Sequence, residues 1–195
     1  MAMNATMTTD EPALLISFLD QQREAVRNAA YGLTDEQAAA APTASDLSVG
    51  GLIKHLASTE RGWTSDITGV VATGDRAEQA YLDGFRMTDT DTLADLLADY
   101  GAATAATDAA IRAADLDHEV PVPDAPWFPK DVTAWSVRWI VLHLIEETAR
   151  HAGHADIIRE CLDGATSGPL LAAAEGWPAD SWITPWAPAV DGASR

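Results

Sequence analysis

Cysteine is almost missing from this chain. Cys161 stands alone among 195 residues, so no internal disulfide can form, and no Cys-x-x-Cys pair is present for redox exchange or a thiolate zinc site. Cations are scarce too: 12 Lys plus Arg face 30 Asp plus Glu, for a formal net charge of −18 and a pI near 4.3. A chain of that sign repels phosphate backbones and anionic membrane surfaces, which speaks against nucleic-acid and membrane partners. No window comes near the roughly 18 uninterrupted apolar residues of a membrane span. Met1 to Asp10 has neither the basic stretch nor the apolar core of a secretion signal, so a cytoplasmic protein is expected. Strand-like alternation of β-branched residues is nearly absent as well, which leaves little room for a large sheet.

What is abundant is alanine, roughly one residue in five, well above average usage. The hydrophobic fraction of 47% is globular, and helical spacing of apolar residues recurs along the chain. A first helix fits residues 11–31, with Leu14, Leu15, Phe18, Leu19 and Val26 on one face and Asp20, Arg23, Glu24 and Arg27 toward water. Thr34 and Gln37 form a capping box for a short turn closed by Pro42. Ser48 is the N-cap of a second helix to Thr68, with Leu52, Leu56, Trp63 and Ile67 as its core stripe. Residues 69–89 read as a crossover. Asp89 or Thr90 caps a third helix over 91–114. The prolines between Val120 and Lys130 predict an irregular connection. A fourth helix, the most hydrophobic, runs over 136–162 and stops at Gly164. The expected fold is all-α: a four-helix bundle over residues 1–168 with long crossover loops, and a Trp- and Pro-rich tail, 169–195, wrapping on it with tryptophans as anchors.

Chemistry concentrates on the fourth helix. At about 100° per residue, His143, Glu147, His151 and His154 share an arc of roughly 80° with Ile140, Ile158 and Cys161. A carboxylate and several imidazoles desolvated together are costly unless something satisfies them, and a divalent cation does so. Glu147 and His151 are four apart and project toward one point. A third ligand should come from another helix, and His55 is the remaining histidine on one; His118 sits in an acidic, proline-rich loop and is set aside. His143 and His154 either bind the ion or orient a ligand from behind. Arg150, beside the arc, is the candidate for holding an anionic substrate or cosubstrate group, while Arg138 and Arg159 are expected to pair with acids. Trp63, Trp127 and Trp139 either wall a pocket or pack the core. Cys161 is expected to be a small core residue.

The stretch Leu52-Ile53-Lys54-His55-Leu56 with Glu60 and Trp63, followed by Arg138-Trp139, His143 and the run from Glu146 to Asp156, then Arg159-Glu160 and Asp163-Gly164, resembles the DinB-like superfamily. The resemblance implies a four-helix bundle holding a divalent metal, zinc or nickel, through residues that map to His55, Glu147 and His151. Many members have histidine at the position of Glu147; the His, Glu, His set is more similar to the mycothiol-dependent maleylpyruvate isomerase branch. It implies a metal-dependent S-transferase that joins mycothiol to small electrophiles, with Glu147 and His154 as its candidate catalytic groups. The alanine-rich, acidic composition suits a high-GC bacterial source, where mycothiol is the expected thiol. Its partners are then a small-molecule thiol and an electrophile, and the chain is a monomer or a homodimer. Two other classes stay open: a metal-dependent isomerase or hydrolase of a biosynthetic pathway, and a non-catalytic, stress-related metal-binding bundle.

Overall fold

The computed structural model describes residues 4–70, 83–125 and 128–188. It contains α1 (Glu11–Ala29), α2 (Asp35–Ala39), α3 (Val49–Thr68), α4 (Leu93–Ala113), β1 (Glu119–Pro121), β2 (Ala134–Ser136), α5 (Val137–Asp163) and α6 (Ser167–Ala174). The four long helices form a bundle in which α3 packs mainly on α4 and α1 mainly on α5, with α3 also against α5. No helix among the described residues is long and apolar enough to cross a membrane.

Local chemistry sets the helix ends. Asp10 accepts from Ala13 N at the start of α1, and Pro12 supplies a helical φ where no N–H partner is needed. Ser48 caps α3 as the sequence predicts, Ser136 caps α5, and Thr34 and Gln37 close the capping box of α2. Gly164 takes φ +75° to end α5. The cap of α4 is Thr92, not Asp89 or Thr90: its side chain accepts from Asp95 N, while the neighbouring Asp91 carboxylate is taken up by Thr88 and Lys54. Residues 71–82 of the expected crossover lie outside the described residues.

The proline-rich connection is more regular than its composition predicts. Val120 pairs with Trp135 and Pro121 with Ala134 in a short antiparallel ladder. Pro121 is tolerated because it occupies the last position of β1, and the ladder continues through Val122 N donating to Thr133 O. A further helix, α6, spans the expected boundary at 168 and packs on α1. Of the tail tryptophans, Trp186 sits edge-on to Tyr31 and under the Arg159 guanidinium, while Trp182 is 76% exposed and meets Trp177 at 6.2 Å between ring centroids.

Two apolar clusters fill the bundle. One gathers Val26, Leu52, Ile53, Leu56, Leu96, Ala155 and Ile158, the other Ile16, Leu19, Trp63, Ile111, Ile140, Val141 and Leu144. In each long helix, buried polar residues fall between the two sets: Arg23 on α1, Glu60 on α3, Thr104 and Thr107 on α4, Thr148 on α5. Arg23 is therefore not on the wet face of α1, where its spacing put it. It is fully buried, donates through Nε and Nη2 to the Glu60 carboxylate at 2.7 Å on both sides, and reaches Asp108 and Asp20 with Nη1. Phe18, counted among the core residues of α1, is instead 46% exposed.

Removing one partner of such a buried pair strands the other charge, which costs about 3–5 kcal/mol. Arg23→Met should lower unfolding free energy by that order in denaturant titrations, and Arg23→Met with Glu60→Leu should recover much of it. A single variant as stable as wild type would show that Glu60 finds another partner.

Candidate metal centre

The helix α5 buries a face centred on Leu144, Thr148, Ala152 and Ala155, about 100° round the helix from the centre of the arc of histidines. The arc therefore lies on the rim of the buried face. That offset explains why His151 is buried, Glu147 and His154 are half-buried, and Cys161, at the far edge of the arc, is exposed and not the core residue its spacing predicts. Across the seam, the apolar residues Leu52, Ile53 and Leu56 turn α3 so that His55 meets α5 while buried to 3% exposure.

The structure brings His55, Glu147 and His151 together. Glu147 Oε1 lies 3.2 Å from His55 Nε2 and 3.1 Å from His151 Nε2, and one donor atom from each residue falls within 4.8 Å of the others. The imidazole rings stand edge to face, 4.9 Å between centroids. Three donors each about 2.1 Å from one tetrahedral cation stand about 3.4 Å apart, so two neutral imidazoles and a carboxylate in this arrangement fit a divalent ion with small side-chain adjustments. Thr59 Oγ1 is 3.4 Å from His55 Nε2.

The electrostatics suit cation binding. Hydrogen bonds from His151 and then His55 hold the Glu147 carboxyl well below the ordinary carboxylate range, against the opposing effect of burial. Burial pushes His55 below the usual imidazole value, and the neighbouring His151 adds to this. The trio at neutral pH is thus an anion with a neutral imidazole beside it.

The other candidates are placed differently. His154 stands behind the trio, its Nδ1 3.4 Å from His151 Nδ1, and burial followed by the nearby His151 lowers its pKa. His143 is not with the trio. It stacks on Trp139 at 5.3 Å and meets Trp63 edge to face, within an aromatic group that includes Phe128 and Trp135 at the other end of the α3–α5 seam. Trp127 lies outside the described residues. Arg150 donates to Glu146 at 2.9 Å, with both side chains about 60% exposed, and does not reach the trio. His118 is exposed in a turn, Arg138 pairs with Glu11 and Asp117, and Arg159 pairs with Asp163. Sequence reasoning missed Phe85, whose ring stacks on His55 at 3.8 Å. The available signal was the consecutive Gly50 and Gly51 in the first turn of α3.

A family model described as mycothiol-S-transferase matches residues 14–164. No curated protein matches the chain. Among solved structures, a conserved protein from Enterococcus faecalis is similar at 18% identity with a TM-score of 0.59, covering 82% of this chain and 100% of that one. At that identity the likeness is one of fold.

Cation affinity depends on keeping the trio unprotonated. Because His55 is depressed and Glu147 more so, neither holds a proton at pH 7, and acid must protonate imidazole before the carboxylate. Affinity for Zn²⁺ or Ni²⁺ should therefore be nearly level above about pH 7 and fall steeply as pH drops below about 6. Chelator competition across pH 5–8 measures this, and a flat profile would remove the histidines from the ligand set.

Proposed function

The chain belongs to the mycothiol-S-transferase family, a DinB-like family, and on that premise we propose that it is a metal-dependent S-transferase joining the sulfur of mycothiol to a small electrophile. The observation that supports the reading most is the convergence of His55, Glu147 and His151 from two helices on one point at the rim of the core. Zinc is the first candidate for the resident ion and nickel the second, since imidazole and carboxylate donors suit both.

A divalent cation in this place supplies Lewis acidity that lowers the pKa of a coordinating thiol, so that its sulfur is nucleophilic near neutrality. The chain's own groups do the rest. His55 and His151 present ring nitrogens, and Glu147 brings one negative charge that moderates the charge at the site. The thiol proton leaves before the sulfur–carbon bond forms. It passes to solvent water: with His151 Nε2 facing the trio, His151 Nδ1–H donates to His154 Nδ1, the proton of the neutral His154 ring then sits on Nε2, and His154 serves to orient His151. As the new bond forms, the electron pair displaced from the electrophile passes to its leaving group or ring oxygen. Cys161 takes no part, since it is exposed on a different side of the arc from the trio.

With Zn²⁺-loaded protein, mycothiol and a bimane electrophile, turnover should require the metal. Glu147→Gln should lower kcat at least about 10-fold with a smaller change in thiol binding, because the anionic ligand tunes the sulfur and not the sugar contacts. Cys161→Ser should retain activity within about twofold, a surface change far from the reacting groups. A folded but inactive Cys161→Ser, or no thiol binding at millimolar concentration, would replace this reading with an isomerase or hydrolase.

A further inference from the structure

Helix α3 begins Val49-Gly50-Gly51, and each of the two glycines is a poor helix former against alanine because it gives up more backbone freedom on folding. Their backbone does not require them: the glycines with positive φ are 32, 69, 164 and 176, among the described residues. Their reason is close approach. A Cβ on Gly51 would fall 1.9 Å from the carbonyl oxygen of Phe85, and one on Gly50 would fall 2.1 Å from Met87 Sδ. The segment that leads into α4 thus lies directly on bare helix backbone. Its far end is tied to the same helix, because Asp91 accepts from Lys54 Nζ at 2.6 Å and from Thr88 N at 2.7 Å.

Held in this way, the Phe85 ring stacks on His55, 3.8 Å between centroids and 17° from parallel, and stands 5.8 Å from His151. The torsion that turns an imidazole about its Cβ–Cγ bond is soft, so a ligating histidine needs a neighbour to fix its plane. The ring also covers the side of the trio where His55 and His151 are almost fully enclosed, whereas the Glu147 side chain keeps 20% of its surface.

We propose that Phe85 is a positioning residue of the metal centre: seated on Gly50 and Gly51, it fixes the plane of the His55 ring and closes that side to water, leaving the Glu147 side for the incoming thiol. The inference rests on the metal-binding reading above. It makes the glycine pair part of the site although neither glycine offers a ligand atom.

The test uses the full chain with Zn²⁺ for affinity and Co²⁺ for coordination number. Phe85→Ala should weaken Zn²⁺ binding by about 10-fold or more, and the visible Co²⁺ bands should lose intensity as water enters. Phe85→Tyr should keep both wild-type values. Gly51→Ala should reproduce the loss by lifting the carbonyl of Phe85 from its seat. Melting of the metal-free variants separates this from unfolding; should Phe85→Ala fail to fold, Phe85→Leu, which retains apolar volume without a flat face, should show the same loss. Unchanged affinity and Co²⁺ spectrum in folded Phe85 variants overturn the proposal alone. A wild-type protein that takes up neither ion overturns it together with the metal reading.

Discussion

The pairing of Arg23 with Glu60 fixes the middle of this bundle. A guanidinium and a carboxylate with no solvent access can persist only if each meets the other in good geometry, and the two-pronged contact between α1 and α3 satisfies that demand. Around it lies a polar layer, with Arg27 donating to Thr104, Thr64 sharing a hydrogen bond with Thr107, and Asp108 closing on Arg23. Apolar packing alone would let α3 rotate or slide against its neighbours with modest loss, since close-packed leucines and alanines are interchangeable to a degree. The ion pair has one register. With Glu60 held toward α1, His55 on the preceding turn and a half is directed to the α5 seam, so a contact that performs no chemistry determines where the imidazole goes.

The long helices were legible because their ends carry local signals. Ser48, the Thr34–Gln37 box and Gly164 act on backbone groups within a few residues, and the structure shows each in that role. The trio was legible for a related reason, since Glu147 and His151 share one helix and one spacing. What could not be read depends on partners distant in sequence. Arg23 resembles any charged residue on the polar side of an amphipathic helix until Glu60, 37 residues on, arrives to neutralise it. The ladder of β1 and β2 needs two short segments to meet across a proline-rich loop, and neither has a strand's alternation. The spacing of Cys161 alone puts it in the core, but the arc it shares with the histidines is the edge of the buried face and not its centre.

That edge placement matters for what the site can do. A trio of ligands at the middle of the buried face would be sealed among Leu144, Ala152 and Ala155, with no way in for a cosubstrate. One on the open face would leave the imidazoles hydrated and free to turn. At the rim, two histidines are enclosed and oriented, and the carboxylate still meets solvent. The aromatic group of Trp63, Trp135, Trp139 and His143 occupies the same seam farther along, so the seam carries flat rings at one place and the trio at another.

Arg159 ties the ends of the chain's history together. Its Nη1 donates to the carbonyls of Ala29 and Tyr31, where α1 ends, across 130 and 128 residues. During synthesis at about 5–20 residues per second, the first helix waits roughly 7 to 26 seconds before the side chain that completes its C-terminus leaves the ribosome. Until then those carbonyls have water as their partner and the helix can fray. The order of assembly is thereby set from the far end: α1 can form early, but it cannot finish until α5 has been made.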